Sequence, residues 1–160
     1  MKNLLAFINS SYSWFVKAVS TLQSPFLLLI RLYWGIQLAQ NGWGKLHNLS
    51  HVTEFFASLG LPAPGPTATF VSLFEFLAGI LLALGLFSRI AALGLTIDML
   101  MAYITADREA FSSFISDPDK FTGAAPYTLL FMALIILIFG PGKISVDYLW
   151  GRRAKKSRVG

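Results

Sequence analysis

Four long apolar segments constrain this chain more than any other feature of its sequence. They cover approximately residues 25–43, 67–87, 90–106 and 123–140. Each is close to the ~20 residues that cross ~30 Å of hydrocarbon at ~1.5 Å per residue in a helix. A soluble bundle of buried helices is the alternative, but these four segments offer no polar face to water. The sequence therefore predicts an all-α membrane protein, a bundle of four transmembrane helices.

The composition excludes several other classes of protein. Charged residues make up 13% of the chain, about half the share found in soluble domains. The absence of Cys excludes a disulfide scaffold, thiol redox chemistry and iron–sulfur ligation. The two His residues, His47 and His51, have only Glu54 nearby, so we predict solvated loop residues and no metal site. No phosphate-binding glycine loop, nucleophile elbow or zinc-binding spacing occurs.

The first 24 residues form a separate segment with a different pattern. Their apolar side chains recur at steps of three and four, which is typical of an amphipathic helix. These are Leu4, Ile8, Tyr12, Phe15, Val19 and Leu22. A cleaved signal peptide is the competing interpretation, but the polar residues 9–11 cut its apolar run below the ~7–15 residues required. We therefore predict that residues 1–24 form an interfacial helix on the membrane.

The distribution of basic residues predicts the orientation of the chain. Lys and Arg concentrate in the N-terminal segment, at Arg89 and in the tail, of which residues 151–160 are the most basic part. The loops on the opposite side hold only Lys45, Arg108 and Lys120. Because cytoplasmic loops collect Lys and Arg, we predict that both termini are cytoplasmic. The tail adjoins the membrane and lacks interleaved aromatic residues, so we predict contact with anionic lipid and no nucleic-acid binding.

Three ionisable residues lie within the predicted spans: Arg31, Glu75 and Asp98. Each costs about 2.5–3.5 kcal/mol near a helix centre, so all three should face the bundle interior. Each also shares a helical face with small residues, where helices approach closely. Counted from the cytoplasmic ends, their depths are about 9, 16 and 12 Å. We therefore expect one shared polar cluster, in which Arg31 is the natural partner of a carboxylate.

This cluster is not electrically balanced. Two carboxylates against one Arg leave one negative charge in excess, so either a proton is held there or another cation is the partner. Lys45 and Arg89 are the candidates for that cation. One interpretation is an internal ion pair that fixes the register of the helices. The other is a polar site for a ligand, a proton or a quinone head group, since burial disfavours a lone carboxylate anion.

The segment after the fourth span carries turn and capping signals. Residues 140–142, Gly-Pro-Gly, allow a sharp exit and prevent the helix from continuing. Ser145 or Asp147 then caps an interfacial helix that starts near Tyr148. We interpret this motif as structural rather than catalytic.

Six short motifs follow one another along the chain. They are Arg31-x-x-x-Gly35, Gly42-Trp-Gly-Lys45, Phe55…Gly60-Leu-Pro62, Glu75-x-x-x-Gly79, Gly85-Leu-Phe-Ser-Arg89 and Gly140-Pro-Gly-Lys-Ile-Ser-Val-Asp147. In this order and spacing they resemble the DoxX family of small four-span membrane proteins, also described as DoxX/DoxD-like. The resemblance covers about residues 25–150.

The resemblance implies an integral protein of the cytoplasmic (inner) membrane and a place in a redox complex. Some DoxX-like proteins resemble subunits of quinone-linked sulfur-oxidising enzymes, and others look like membrane parts of oxidative-stress complexes. By this resemblance Arg31, Lys45 and Glu75 are candidate site residues, and Asp98 joins them on the burial argument alone. Quinone is then the implied ligand and redox subunits are the implied partners, beside the lipid bilayer. No covalently bound cofactor is expected. A small transporter and a scaffolding protein with a purely internal ion pair are the alternatives, and whether the chain is an enzyme by itself stays open.

Overall fold

The computed structural model describes the backbone of residues 2–157 and the side chains of residues 12–153. Over this part of the chain, helices are joined by short turns. In chain order they are α1 (Lys2–His47), α2 (Leu49–Ser58), α3 (Pro64–Leu84), α4 (Ser88–Thr105), α5 (Arg108–Ser112), α6 (Pro118–Gly123), α7 (Tyr127–Phe139) and α8 (Val146–Ser157). The all-α prediction is confirmed for the described residues.

Three of these helices are long and apolar enough to cross a membrane: α3, α4 and the part of α1 from Tyr12 to His47. The predicted spans 67–87 and 90–106 correspond to α3 and α4. The predicted span 123–140 is represented by α7, which has only 13 residues. Helix α7 starts late because a residue that precedes a proline disfavours the helical conformation, and Pro126 stands directly before its first residue.

Helix α1 differs from the prediction at its N-terminal side. A boundary was expected at residue 25, but the backbone continues as one helix through Pro25. Its 46 residues span about 69 Å, more than twice the ~30 Å of hydrocarbon. Residues 12–24 extend beyond the bundle with mostly exposed side chains, and side chains 1–11 lie outside the described residues. The separate segment 1–24 is therefore continuous with the first span, while its position on the membrane stays a prediction.

Helices α1 and α3 run antiparallel with their backbones almost in contact. A Cβ atom added to Gly79 would lie 2.4 Å from the backbone nitrogen of Ala39, and one added to Gly42 would lie 2.4 Å from that of Phe76. Only glycine permits such an approach, which is how many membrane helices associate. The contact fixes which level of α1 faces which level of α3.

The rest of the core lies between α4 and α7, with α3 on the other side of α4. The fully buried side chains of the whole core include Leu38, Leu82, Leu95 and Ile136. The outward faces carry large apolar side chains instead: Phe70, Ile90, Ile97 and Ile138 are each more than half exposed. Apolar side chains on the outside of long apolar helices suit lipid as the solvent. The molecule is a multi-pass membrane protein.

Candidate functional site

The buried charges form two clusters, not one. Arg31, Leu38 and Lys45 are spaced seven residues apart on α1 and so share one face of the helix. Leu38 is completely buried between the two charged residues. The 14 residues from Arg31 to Lys45 correspond to about 21 Å along the helix. The two ends of this face therefore have separate partners.

Arg31 is fully buried against the turn between α3 and α4. Its Nη1 donates to the carbonyl oxygen of Leu82 over 3.4 Å, and its Nη2 donates to the carbonyl oxygen of Ile144. Gly85 makes room for the guanidinium, because a Cβ atom there would lie 1.8 Å from Nη1. Gly85 also has a φ of +71°, which favours glycine. Arg31 thus ties α1 to the end of α3 and to the segment after α7.

The segment after α7 is held at the same place by Ser145 and Asp147. The hydroxyl of Ser145 accepts a hydrogen bond from the backbone N–H of Tyr148 at 3.2 Å, so of the two predicted caps, Ser145 and Asp147, it is Ser145 that caps α8. Asp147 has another role. Its carboxylate accepts from the backbone N–H groups of Phe87 and Ser88 at 2.8 and 2.9 Å and caps the start of α4. This supports a structural interpretation of the motif.

The expected pairing of Arg31 with Glu75 or Asp98 is wrong. In the antiparallel pair, Arg31 lies opposite the last turn of α3, and Glu75 lies about seven residues further along that helix. Seven residues correspond to about 10 Å, too far for an ion pair. The sequence-based depths started from assumed span boundaries, and α1 does not begin at residue 25.

Glu75 pairs with Lys45 instead. The Lys45 Nζ lies 2.7 Å from both carboxylate oxygens of Glu75, and it donates a hydrogen bond with good geometry to Oε1. The Glu75 side chain is 5% exposed and the Lys45 side chain is 37% exposed. From the sequence, Lys45 is a candidate site residue by the family resemblance and one of two candidate cations for the cluster, but no pairing with Glu75 is predicted. The spacing of seven from Arg31 through Leu38 was the signal that Lys45 continues the buried face.

Asp98 is the third member of this group, which we call the carboxylate cluster (Lys45, Glu75 and Asp98). Its side chain is partly buried, and its Oδ2 is buried with no hydrogen-bond partner among the described residues. The charges of both Glu75 and Lys45 act on Asp98. The cluster therefore has two carboxylates and one ammonium. Such a site can hold a proton between its acids, or bind a group that donates to Asp98 and accepts from Lys45.

An apolar groove of about 300 Å³ lies beside the cluster on the lipid-facing side of α1 and α3. Its floor is made of the small residues of the helix contact, and its walls are mostly large apolar side chains. It is lined by Gly35, Ile36, Ala39, Gln40, Trp43, Phe76, Gly79, Ile80, Ala83 and Leu84. Trp43 and Phe76 pack together at one end, with ring centroids 5.3 Å apart. Phe76 directly follows Glu75, so this end of the groove lies at the level of the cluster.

Comparison with known proteins gives one result. The family model of DoxX matches residues 26–108. The match includes all four candidate site residues and the helices α3 and α4, and it ends before α7. The searches of curated proteins and of solved structures gave no match.

Proposed function

The chain belongs to the DoxX family, and on this premise we propose that it is the membrane subunit of a redox complex whose carboxylate cluster binds a quinone head group. A bound quinone supplies reversible two-electron redox chemistry. The chain has no Cys, so electrons have to come from a partner subunit. The role of the chain is then to bind, orient and exchange protons with the quinone.

The observation that carries this proposal is the unpaired Oδ2 of Asp98 beside an ion pair. A buried carboxylate oxygen without a partner costs free energy unless it binds a proton or a donor. A quinol hydroxyl is such a donor. The Lys45 ammonium, partly exposed beside it, is a donor for a quinone carbonyl. The Asp98 oxygen can thus accept from the quinol, and the Lys45 ammonium can donate to the quinone.

The groove supports the same ligand class for a second reason. Quinones of membranes carry long apolar chains, and the groove is an apolar surface open to lipid. If the apolar tail of a quinone lies in the groove, its head group comes to the level of Glu75, at the end of the groove where Trp43 and Phe76 pack together. Neither Lys45 nor Asp98 lines the groove. The head group therefore has to pass beyond these rings to reach the cluster.

Binding of decylubiquinone to the purified protein in detergent micelles tests the proposal. Quenching of tryptophan fluorescence reports binding, because Trp43 lines the groove. We expect Asp98→Asn and Lys45→Gln to weaken binding of the quinone or its quinol by about 10-fold or more, the effect of losing a hydrogen bond to a charged group. Glu54→Gln is the matched control, since Glu54 is an exposed acid outside the cluster. Equal affinities in all four proteins would refute the proposal.

A scaffolding role with an internal ion pair is the second candidate, because Lys45 and Glu75 form an ion pair within the protein. The exchange variant Lys45→Glu with Glu75→Lys separates the two functions. If it keeps full physiological function, the pair has only a structural role. If it folds but fails to bind quinone, the pair belongs to a site.

We further propose that the protein lies in the cytoplasmic membrane with both termini on the cytoplasmic side, as the basic residues indicate, and that residues 12–24 of α1 contact the membrane interface. Trp14, Phe15 and Leu22 of this part are more than half exposed. A membrane-impermeant maleimide tests the orientation in intact cells. A cysteine at Glu54 should react at once, and a cysteine at Arg152 should react only after the membrane is opened. The reverse pattern would contradict the proposed orientation.

A further inference from the structure

Helix α7 is too short to cross the hydrocarbon core by itself. Its 13 residues rise about 20 Å, against ~30 Å of hydrocarbon. Its neighbour α4 has 18 residues and rises about 27 Å. The fourth crossing therefore lacks about 10 Å of helix.

The missing part lies at the end of the bundle away from α8. At the α8 end the two helices are level, because Arg89 at the start of α4 donates from Nη2 to the carbonyl oxygen of Ile138 over 3.4 Å. A Cβ atom at Gly140 would lie 3.3 Å from the same Nη2. The helices run antiparallel from this point. Tyr127, the first residue of α7, therefore lies about five residues, or ~7 Å, short of the far end of α4.

Helices α5 and α6 occupy the space above Tyr127. The hydroxyl of the fully buried Tyr103 on α4 donates to the carbonyl oxygen of Phe121 at 2.8 Å, and the two rings stack at 4.9 Å. The centroid of the Phe121 ring also lies 4.9 Å from that of the Phe114 ring and 5.8 Å from that of the Tyr127 ring. This aromatic layer continues the apolar interior of the bundle beyond the start of α7.

The outer surface of the segment formed by α5 and α6 has one charged edge and one apolar edge. On the charged edge, Lys120 donates to the Glu109 carboxylate at 2.8 Å, and both side chains are exposed. On the apolar edge, Phe114 is 59% exposed and Ile115 is 86% exposed. Through the rings of Phe121 and Tyr127, Phe114 is connected to the exposed Phe131 of α7. A polypeptide with these two edges is typical of a membrane interface.

We propose that α5 and α6 form a cap that inserts into the membrane and completes the fourth crossing. Phe114 and Ile115 contact lipid acyl chains, and the Glu109–Lys120 ion pair stays at the water side. Lipid is the occupant of this apolar edge because the shortfall of α7 leaves it within the depth of the hydrocarbon core. A second copy of the chain or a soluble partner would instead exclude lipid from it.

Nitroxide spin labels in vesicles of dioleoylphosphatidylcholine test the proposal. The chain has no Cys, so Ile115→Cys provides a single labelling site. The label's collisions with oxygen, which partitions into lipid, are compared with its collisions with a water-soluble nickel chelate. Asp119→Cys, an exposed position on the same segment, is the matched control. We expect a several-fold higher oxygen-to-nickel ratio at position 115 than at position 119.

Two results would overturn the proposal. Equal nickel access at both positions would place the cap in water. Low access of both reagents at position 115 would show that protein, such as a second copy, covers this edge. Phe114→Cys provides a second label on the apolar edge, where Phe114 is 59% exposed. It gives the same reading if the first variant does not fold.

Discussion

Lys45, close to the end of α1, places its ammonium 2.7 Å from both carboxylate oxygens of Glu75 in the middle of α3. The glutamate is almost completely buried, while the lysine still reaches the surface along its side chain. Most of the desolvation cost therefore falls on Glu75. The pair joins α1 to α3 at the opposite end from Arg31, so each end of this helix contact is fixed by one buried charge.

Loss of Lys45 should be strongly destabilising. In Lys45→Met the Glu75 carboxylate stays buried without its partner, which costs about 3 kcal/mol of unfolding free energy. The double variant Lys45→Met with Glu75→Gln should recover a large part of that loss, because no buried charge remains. Unfolding by SDS titration in mixed micelles measures all three proteins. If the double variant is less stable than Lys45→Met, the ion pair does not carry this cost.

Asp98→Asn should keep the stability of the protein or raise it by up to about 1 kcal/mol. The Asp98 Oδ2 has no hydrogen-bond partner among the described residues, and the Glu75 charge acts on it. An amide removes the charge and adds a donor. Glu75→Gln is the comparison, because it takes the counter-ion from Lys45 and should destabilise. If Asp98→Asn and Glu75→Gln lose the same amount of stability, Asp98 is also a necessary partner of Lys45.

Gly85→Ala tests the position of Arg31. The new methyl group would lie 1.8 Å from Nη1 and 2.7 Å from the Cβ of Ser145, at a φ of +71°. Arg31 must then leave its carbonyl partners, so we expect a loss of at least about 3 kcal/mol. Gly123→Ala is the control, since nothing lies within 4 Å of a Cβ atom there. A Gly85→Ala protein with unchanged thermal stability would refute this account of the turn.

The sequence predicted the helices well where local hydrophobicity alone decides them. Helices α3 and α4 end within three residues of the predicted spans. The predicted boundary at residue 25 is wrong, because Pro25 is compatible with a helix start but a membrane helix can also continue through a proline. The predicted span 123–140 is longer than α7 because the apolar run continues back past Pro126, whereas the helix does not.

The burial of Arg31 and Glu75 could also be predicted, from the cost of exposing charge to lipid. The partners of Arg31 could not, and Lys45 was predicted only as one of two candidate cations for the cluster. The acceptors of Arg31 are backbone carbonyls, which every residue has, so no side-chain pattern marks them. The partner of Glu75 is a lysine assigned to an outer loop, and its long side chain reaches back into the bundle. Pairing depends on the register of α1 against α3, which the glycine contacts set.

The Glu109–Lys120 ion pair should make the order of the cap depend on pH. The hydrogen bond from Lys120 lowers the pKa of Glu109 below its ordinary value of 4.5, and Glu109 raises the pKa of Lys120 above 10.5. A lowered acid pKa stabilises the folded cap above the unfolded pKa of the acid, and this contribution is lost as the pH falls through the folded value. A raised lysine pKa stabilises the cap below pH 10.5, and this contribution is lost as the pH rises through the pKa of Lys120 in the folded protein.

A nitroxide at position 115 should therefore become more mobile below pH 4.5, and again above pH 10.5. Lys120→Gln should abolish the change above pH 10.5 and reduce the change below pH 4.5. If the variant keeps the same pH profile as the parent, another group controls the order of the cap.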